Sequence, residues 1–112
     1  DDFQTRKAAA EAAAAAARPL VLAAVAMFDG QVTVFLPGEG QPGFADLFPE
    51  TPAPEDMPSC ELVGVLGSVA GVVGSLMATE AIKLVTGVGA PLAGRLLLYD
   101  GRTARFAEIA FG

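Results

Sequence analysis

At 112 residues the chain has room for one small domain, and with 53% hydrophobic residues it can build a packed core, which excludes wholesale disorder. Thirteen acidic against seven basic residues give a net charge of −6, a sign that opposes nucleic-acid binding, and the lack of histidine removes the usual general base and the commonest metal ligand. The single cysteine, Cys60, excludes an internal disulfide framework and a cysteine-rich zinc site, and fits a reducing cytoplasm.

Asp1 to Arg18 reads as a helix, because the run Ala8 to Ala17 is broken only by Glu11 and alanine has the highest helix propensity. The acidic start and Arg18 at the end suit the helix dipole, and Pro19 stops the helix. No secretory signal is expected in this stretch, where Asp1 and Asp2 lead and Arg6 and Lys7 precede alanines rather than a leucine-rich core.

Leu20 to Phe28 is an apolar strand, followed by Asp29-Gly30, a hairpin-turn signal. Gln31 to Leu36 alternates, placing Val32 and Val34 on one face and Thr33 and Phe35 on the other. Pro37 to Ser59 is a loop holding six of the eight prolines. At 23 residues it is long for a compact domain, and loops of that length are usually functional or disordered. Phe44, Leu47 and Phe48 are expected to anchor it to the body.

Leu62 to Thr86 is the second helix. Its first 18 residues, to Thr79, carry no charge and reach the lower edge of membrane-spanning length. Four glycines lower their hydrophobicity, and Glu80 and Lys83 continue the same helical pattern, so a buried core helix is expected and no membrane partner. Gly64, Gly67, Gly71 and Gly74 fall on one face, where small residues let the sheet or a partner helix approach closely. Arg95 to Tyr99 and Thr103 to Phe111 form a second hairpin around Asp100-Gly101. Two helices and two antiparallel hairpins make the chain an α+β unit.

Six blocks in order resemble the MoeB/ThiF/HesA family, the ubiquitin-activating-enzyme-like adenylyltransferases. They are Asp1-Asp2-Phe3-Gln4-Thr5-Arg6, Gly30 to Phe35, Leu47-Phe48-Pro49-Glu50, Cys60 to Gly67, Glu80 to Leu84, and Pro91 to Asp100. The resemblance implies the C-terminal half of a ThiF-type, Rossmann-like α/β fold over residues 1–112, with the nucleotide-binding half absent. No Gly-x-Gly-x-x-Gly follows a strand in this chain, so the fragment alone is expected not to bind ATP tightly.

The implied activity is MgATP-dependent adenylation of the terminal glycine of a ubiquitin-like sulfur carrier, MoaD- or ThiS-like, for molybdopterin or thiamine biosynthesis. Asp1 occupies the place of the family's metal-linked aspartate, and the resemblance implies that it would hold magnesium against the phosphates of ATP; from the residues alone an ordinary acidic helix start is the commoner case. Arg6 falls at the family's arginine position, to meet a phosphate or a partner acid, or else is a solvated helix arginine. Cys60 opens the family's cysteine motif, which implies a thiolate, its pKa lowered at a helix start, that attacks the acyl-adenylate or later joins the carrier through a persulfide or acyl-disulfide bond; the other reading is a small buried residue.

Many family members bind structural zinc through two Cys-x-x-Cys pairs, but the first pair's place reads Gly43-Phe44-Ala45-Asp46, so no zinc is expected. The family's members are typically homodimers. A non-catalytic module that keeps carrier docking and dimerisation is the alternative reading.

Overall fold

A computed structural model describes residues 2–50 and 64–112. Helix α1 (Phe3–Ala15) leads into strands β1 (Leu20–Ala26) and β2 (Asp29–Phe35), then a single helical turn α2 (Phe44–Leu47). Helix α3 (Gly67–Thr86) and strands β3 (Arg95–Asp100) and β4 (Arg105–Ala110) complete the order. The strands form one antiparallel sheet in the order β1-β2-β3-β4, the α+β architecture expected.

Alternation along β2 sorts the core between the two faces of the sheet. Val32 and Val34 join Val69 and Val73 of α3 and Leu92 on one face. Phe35 joins Phe3 and Ala10 of α1 and Phe44 of α2 on the other, with Leu47 and Phe48 packed against them, so the loop is anchored as its aromatic residues suggested. Thr33 is also buried; its hydroxyl donates to Arg95 O at 2.7 Å and lies 3.1 Å from Leu92 O, which removes the cost of burying it.

Helix boundaries differ from the sequence reading. Helix α1 begins after Asp2, whose carboxylate accepts the Thr5 N–H at 2.8 Å, and ends at Ala15 rather than Arg18. Ala17 turns left-handed at φ 55°, and the Arg18 N–H bonds Ala13 O at 2.9 Å, satisfying a terminal carbonyl. Pro19 explains the early stop, since its ring disfavours helical geometry at the residue before it.

The first hairpin turn is displaced by two residues. Asp29 and Gly30 lie inside β2, paired with Ala26 and Val25, and Met27-Phe28 forms the turn with Met27 at φ 53°. Tertiary contacts overrule the local Asp-Gly signal here. Met27 exchanges backbone hydrogen bonds of 2.9 Å with Gly64 O and Leu66 N, and Phe28 O accepts the Gly101 N–H at 2.8 Å. Gly30 is used for packing instead: a Cβ there would run into Val73 Cγ2 of α3.

The second hairpin keeps its place with a longer turn, because Asp100 pairs with Arg105 and Gly101 to Ala104 form the loop. Asp100 accepts the Arg102 N–H at 2.9 Å and the Thr103 hydroxyl at 3.0 Å. The first of these is the larger cause of a carboxyl pKa below the usual aspartate value.

Helix α3 starts at Gly67, not Leu62; Gly64 has φ 74° and lies outside it, and residues 62 and 63 are outside the described residues. Its glycine face does not meet the sheet. A Cβ on Gly67, Gly71 or Gly74 would have nothing within 4 Å, whereas Val69, Val73 and Glu80 on the opposite side are buried. Branched valines fill the helix–sheet contact, and the small residues are turned outward.

By length and composition α3 could cross a membrane, and it is not the buried core helix expected: only 17% of its apolar window is buried, on the one side that packs on β1 and β2 and carries Glu80, with Lys83 beside it.

Candidate functional site

The family resemblance assigns the metal and phosphate chemistry to Asp1 and Arg6, and of these Arg6 lies in the first turns of α1. Asp2 caps this helix, and the Thr5 backbone N–H, then the Thr5 side chain, hold its carboxyl below the usual aspartate pKa. Asp2 is therefore ionised at neutral pH and committed to the helix. One turn on, half-buried Arg6 has interaction partners of its own and faces the sheet beside Leu22, Thr33 and Phe48. Asp1 and Cys60 lie outside the described residues, so their approach to Arg6 is not among the geometry described. Among the described residues no three His, Cys, Asp or Glu side chains converge as a metal group.

Along the length of α1 lies a groove of about 670 Å³ between that helix and the Pro37–Pro49 segment. Its lining is mainly apolar, from Phe3, Ala10, Ala14, Phe35 and Phe44, with Lys7, Glu11 and Arg18 also on it.

The β3–β4 hairpin supplies a second surface. Every residue of β4 is exposed on both faces, including Phe106 and Ile109 at about half exposure. Tyr99 supports Phe106 from β3 with ring centroids 4.8 Å apart, and the exposed Arg95–Glu108 pair at 2.7 Å crosses the same hairpin. The strand thus presents Phe106 and Ile109 to solvent at the edge of the sheet.

Sequence reasoning missed Glu80. It is 5% exposed, accepts the Leu92 N–H at 2.8 Å and pairs with Lys83 at 2.5 Å, while Lys83 donates to Ala90 O at 2.9 Å. The signal was available: Glu80 stands seven residues beyond Val73 and eleven beyond Val69, on the buried stripe. A charged residue on an apolar stripe predicts a buried partner.

The fold and these surfaces define an α+β unit built on a four-stranded antiparallel sheet with helices on both faces. A crystal structure of selenomethionine PaaA has the same fold, with a TM-score of 0.69 at 15% identity over 97% of this chain and 33% of that one. The ThiF family matches residues 1–111, and the chain belongs to that family.

Among its relatives is a sulfur carrier protein adenylyltransferase of Thermus thermophilus, 49% identical over 97% of this chain and 42% of the relative. The probable adenylyltransferase/sulfurtransferase MoeZ of Mycobacterium tuberculosis is 46% identical over 97% of this chain and 29% of its own length. The adenylyltransferase and sulfurtransferase MOCS3 of Drosophila grimshawi is 41% identical, with 97% and 24% covered. The chain thus spans less than half the length of these relatives.

Proposed function

We propose that this chain is part of an ATP-dependent adenylyltransferase that activates the C-terminal glycine of a ubiquitin-like sulfur-carrier protein, of the MoaD or ThiS kind. The observation that carries the reading is the ThiF match from residue 1 to residue 111, beside relatives named for sulfur-carrier adenylylation.

Joining a carboxylate to a phosphate sets two anions against each other, so the chemistry rests on charge neutralisation and alignment. Asp1 is the residue the family resemblance assigns to magnesium, and it is proposed in that role here, since Asp2 beside it in sequence is committed to the Thr5 N–H. Magnesium, when bound, supplies the charge neutralisation between carboxylate and phosphates. Arg6, in the first turns of α1, is proposed to add positive charge for the phosphates.

Cys60 is the thiol proposed to act after activation. Its thiolate forms a bond to the activated glycine carbonyl, and the bond to AMP breaks with the electron pair leaving on the phosphate. Alkylation of Cys60 in the full-length protein is expected to abolish sulfur transfer and to leave ATP–pyrophosphate exchange intact; unchanged sulfur transfer removes the assignment. The exposed face of β3–β4 is the proposed seat of the carrier's globular part.

We place the protein in the cytoplasm, without nucleic-acid or membrane partners, as its acidic balance and lone thiol suggest. It is proposed to act as a homodimer through the outer face of α3, where the glycines are open and Ile82 and Val85 are exposed. Full-length protein sedimenting at twice the chain mass, and Val85→Glu shifting it to monomer, are the expected results; a wild-type monomer at micromolar concentration contradicts the proposal. The alternative, a non-catalytic docking module, predicts carrier binding with no ATP consumption.

A further inference from the structure

The turn that the family resemblance marks for zinc does not fit a tetrahedral metal. Gly43 has no side-chain donor, and Asp46, the only acid at the two ligand places, is engaged: its Oδ2 accepts the Gly43 N–H at 2.7 Å, while its own N–H donates to Gly43 O at 3.0 Å. Other groups hold this turn to the end of the sheet. Pro42 sits between Gly94 and Gly112; a Cβ on these glycines would lie 3.6 Å and 2.7 Å from its ring atoms. The Phe111 N–H donates to Gly94 O at 2.9 Å, and the Phe111 ring lies 6.0 Å from Phe35. Phe44 meets the same Phe35 ring at 6.1 Å and Phe3 at 5.3 Å.

We infer that an apolar clasp closes this turn in place of a metal: Pro42 in a notch of two glycines, Phe44 and Phe111 on Phe35, and Asp46 capping Gly43. The clasp joins the loop to the C-terminal end of β4, and it stands independently of the adenylation reading. Its chemistry is dispersion and one charge-assisted hydrogen bond, so it is indifferent to chelators.

The test is thermal unfolding of the full-length protein, with and without phenanthroline and with added zinc chloride, beside elemental analysis. An unchanged melting temperature and sub-stoichiometric zinc are expected. Asp46→Ala is expected to lower the melting temperature by roughly 2–4 °C, the usual effect of losing a helix cap, with no recovery on adding zinc. Asp46→Asn, which keeps an acceptor oxygen, is expected to recover most of that loss. One zinc per chain with a melting temperature that falls on chelation overturns the inference, as does an Asp46→Ala variant that melts with the wild type.

Discussion

Replacing Glu80 with alanine is expected to cost about 3 kcal/mol of folding free energy, the low end for breaking a buried ion pair because Lys83 is partly exposed. The carboxylate ties α3 to the segment that follows it. Its two oxygens receive the Leu92 N–H and the Lys83 ammonium, and Lys83 in turn holds Ala90 O. Leu92 then passes the connection to the sheet, since its carbonyl accepts the Val34 N–H at 3.3 Å. Alanine leaves a buried N–H without an acceptor and a lysine without its counter-charge.

Glu80→Gln keeps an acceptor for Leu92 and loses only the ionic part, so about 1 kcal/mol is expected. Urea unfolding of the full-length protein separates the two variants. An alanine variant within about 0.5 kcal/mol of wild type, the range of ordinary surface substitutions, contradicts this role for Glu80.

Gly30→Ala is expected to destabilise by about 1–3 kcal/mol through overpacking, because its Cβ meets a stiff β-branched side chain, Val73, between the sheet and α3. A glycine serving a hairpin turn would respond differently: its variant would be strained by φ, and Gly30 has no positive φ. The double variant Gly30→Ala with Val73→Ala separates the two causes, since the second change removes the methyl that clashes. Recovery of part of the Gly30→Ala loss in the double variant is expected, read against Val73→Ala alone. Strict additivity would place the cost of Gly30→Ala in the backbone.

The contrast runs the other way on the outer side of α3. Gly71→Ala meets open space within this chain and removes a helix-weakening glycine, so in the monomeric Val85→Glu background a gain of about 0.5–1 kcal/mol is expected by urea unfolding.

The sequence carried the element types because these rest on local rules: the alanine run, Pro19, and alternation through Val32, Thr33, Val34 and Phe35. The two faces of β2, the anchoring by Phe44, Leu47 and Phe48, and the α+β class were legible in this way. What failed depended on distant residues. Asp29-Gly30 has the composition of a turn, but the turn is set by Gly64, Leu66 and Gly101, all far along the chain. The glycines of α3 are regularly spaced, yet spacing does not say which side of a helix meets the sheet; the valines decided it.

The candidate site was legible only in part. The capping Asp2, the inward-facing Arg6 and the exposed β3–β4 hairpin lie in the described structure, while Asp1 and Cys60 fall outside the described residues. Glu80 was missed because a charge inside a helical pattern reads as the solvent side unless its phase with Val69 and Val73 is checked. Asp46 was read as a lost zinc ligand, and its capping of Gly43 emerged only from the folded turn.

The most direct measurement is ATP–pyrophosphate exchange by the full-length protein with a purified ubiquitin-like sulfur carrier ending in Gly-Gly. Exchange that requires both the carrier and magnesium, and that falls on the order of a hundredfold or more in Asp1→Ala, is the predicted result for loss of a positioned electrostatic group. Carrier binding with no exchange at any magnesium concentration would contradict the account and leave only the docking module.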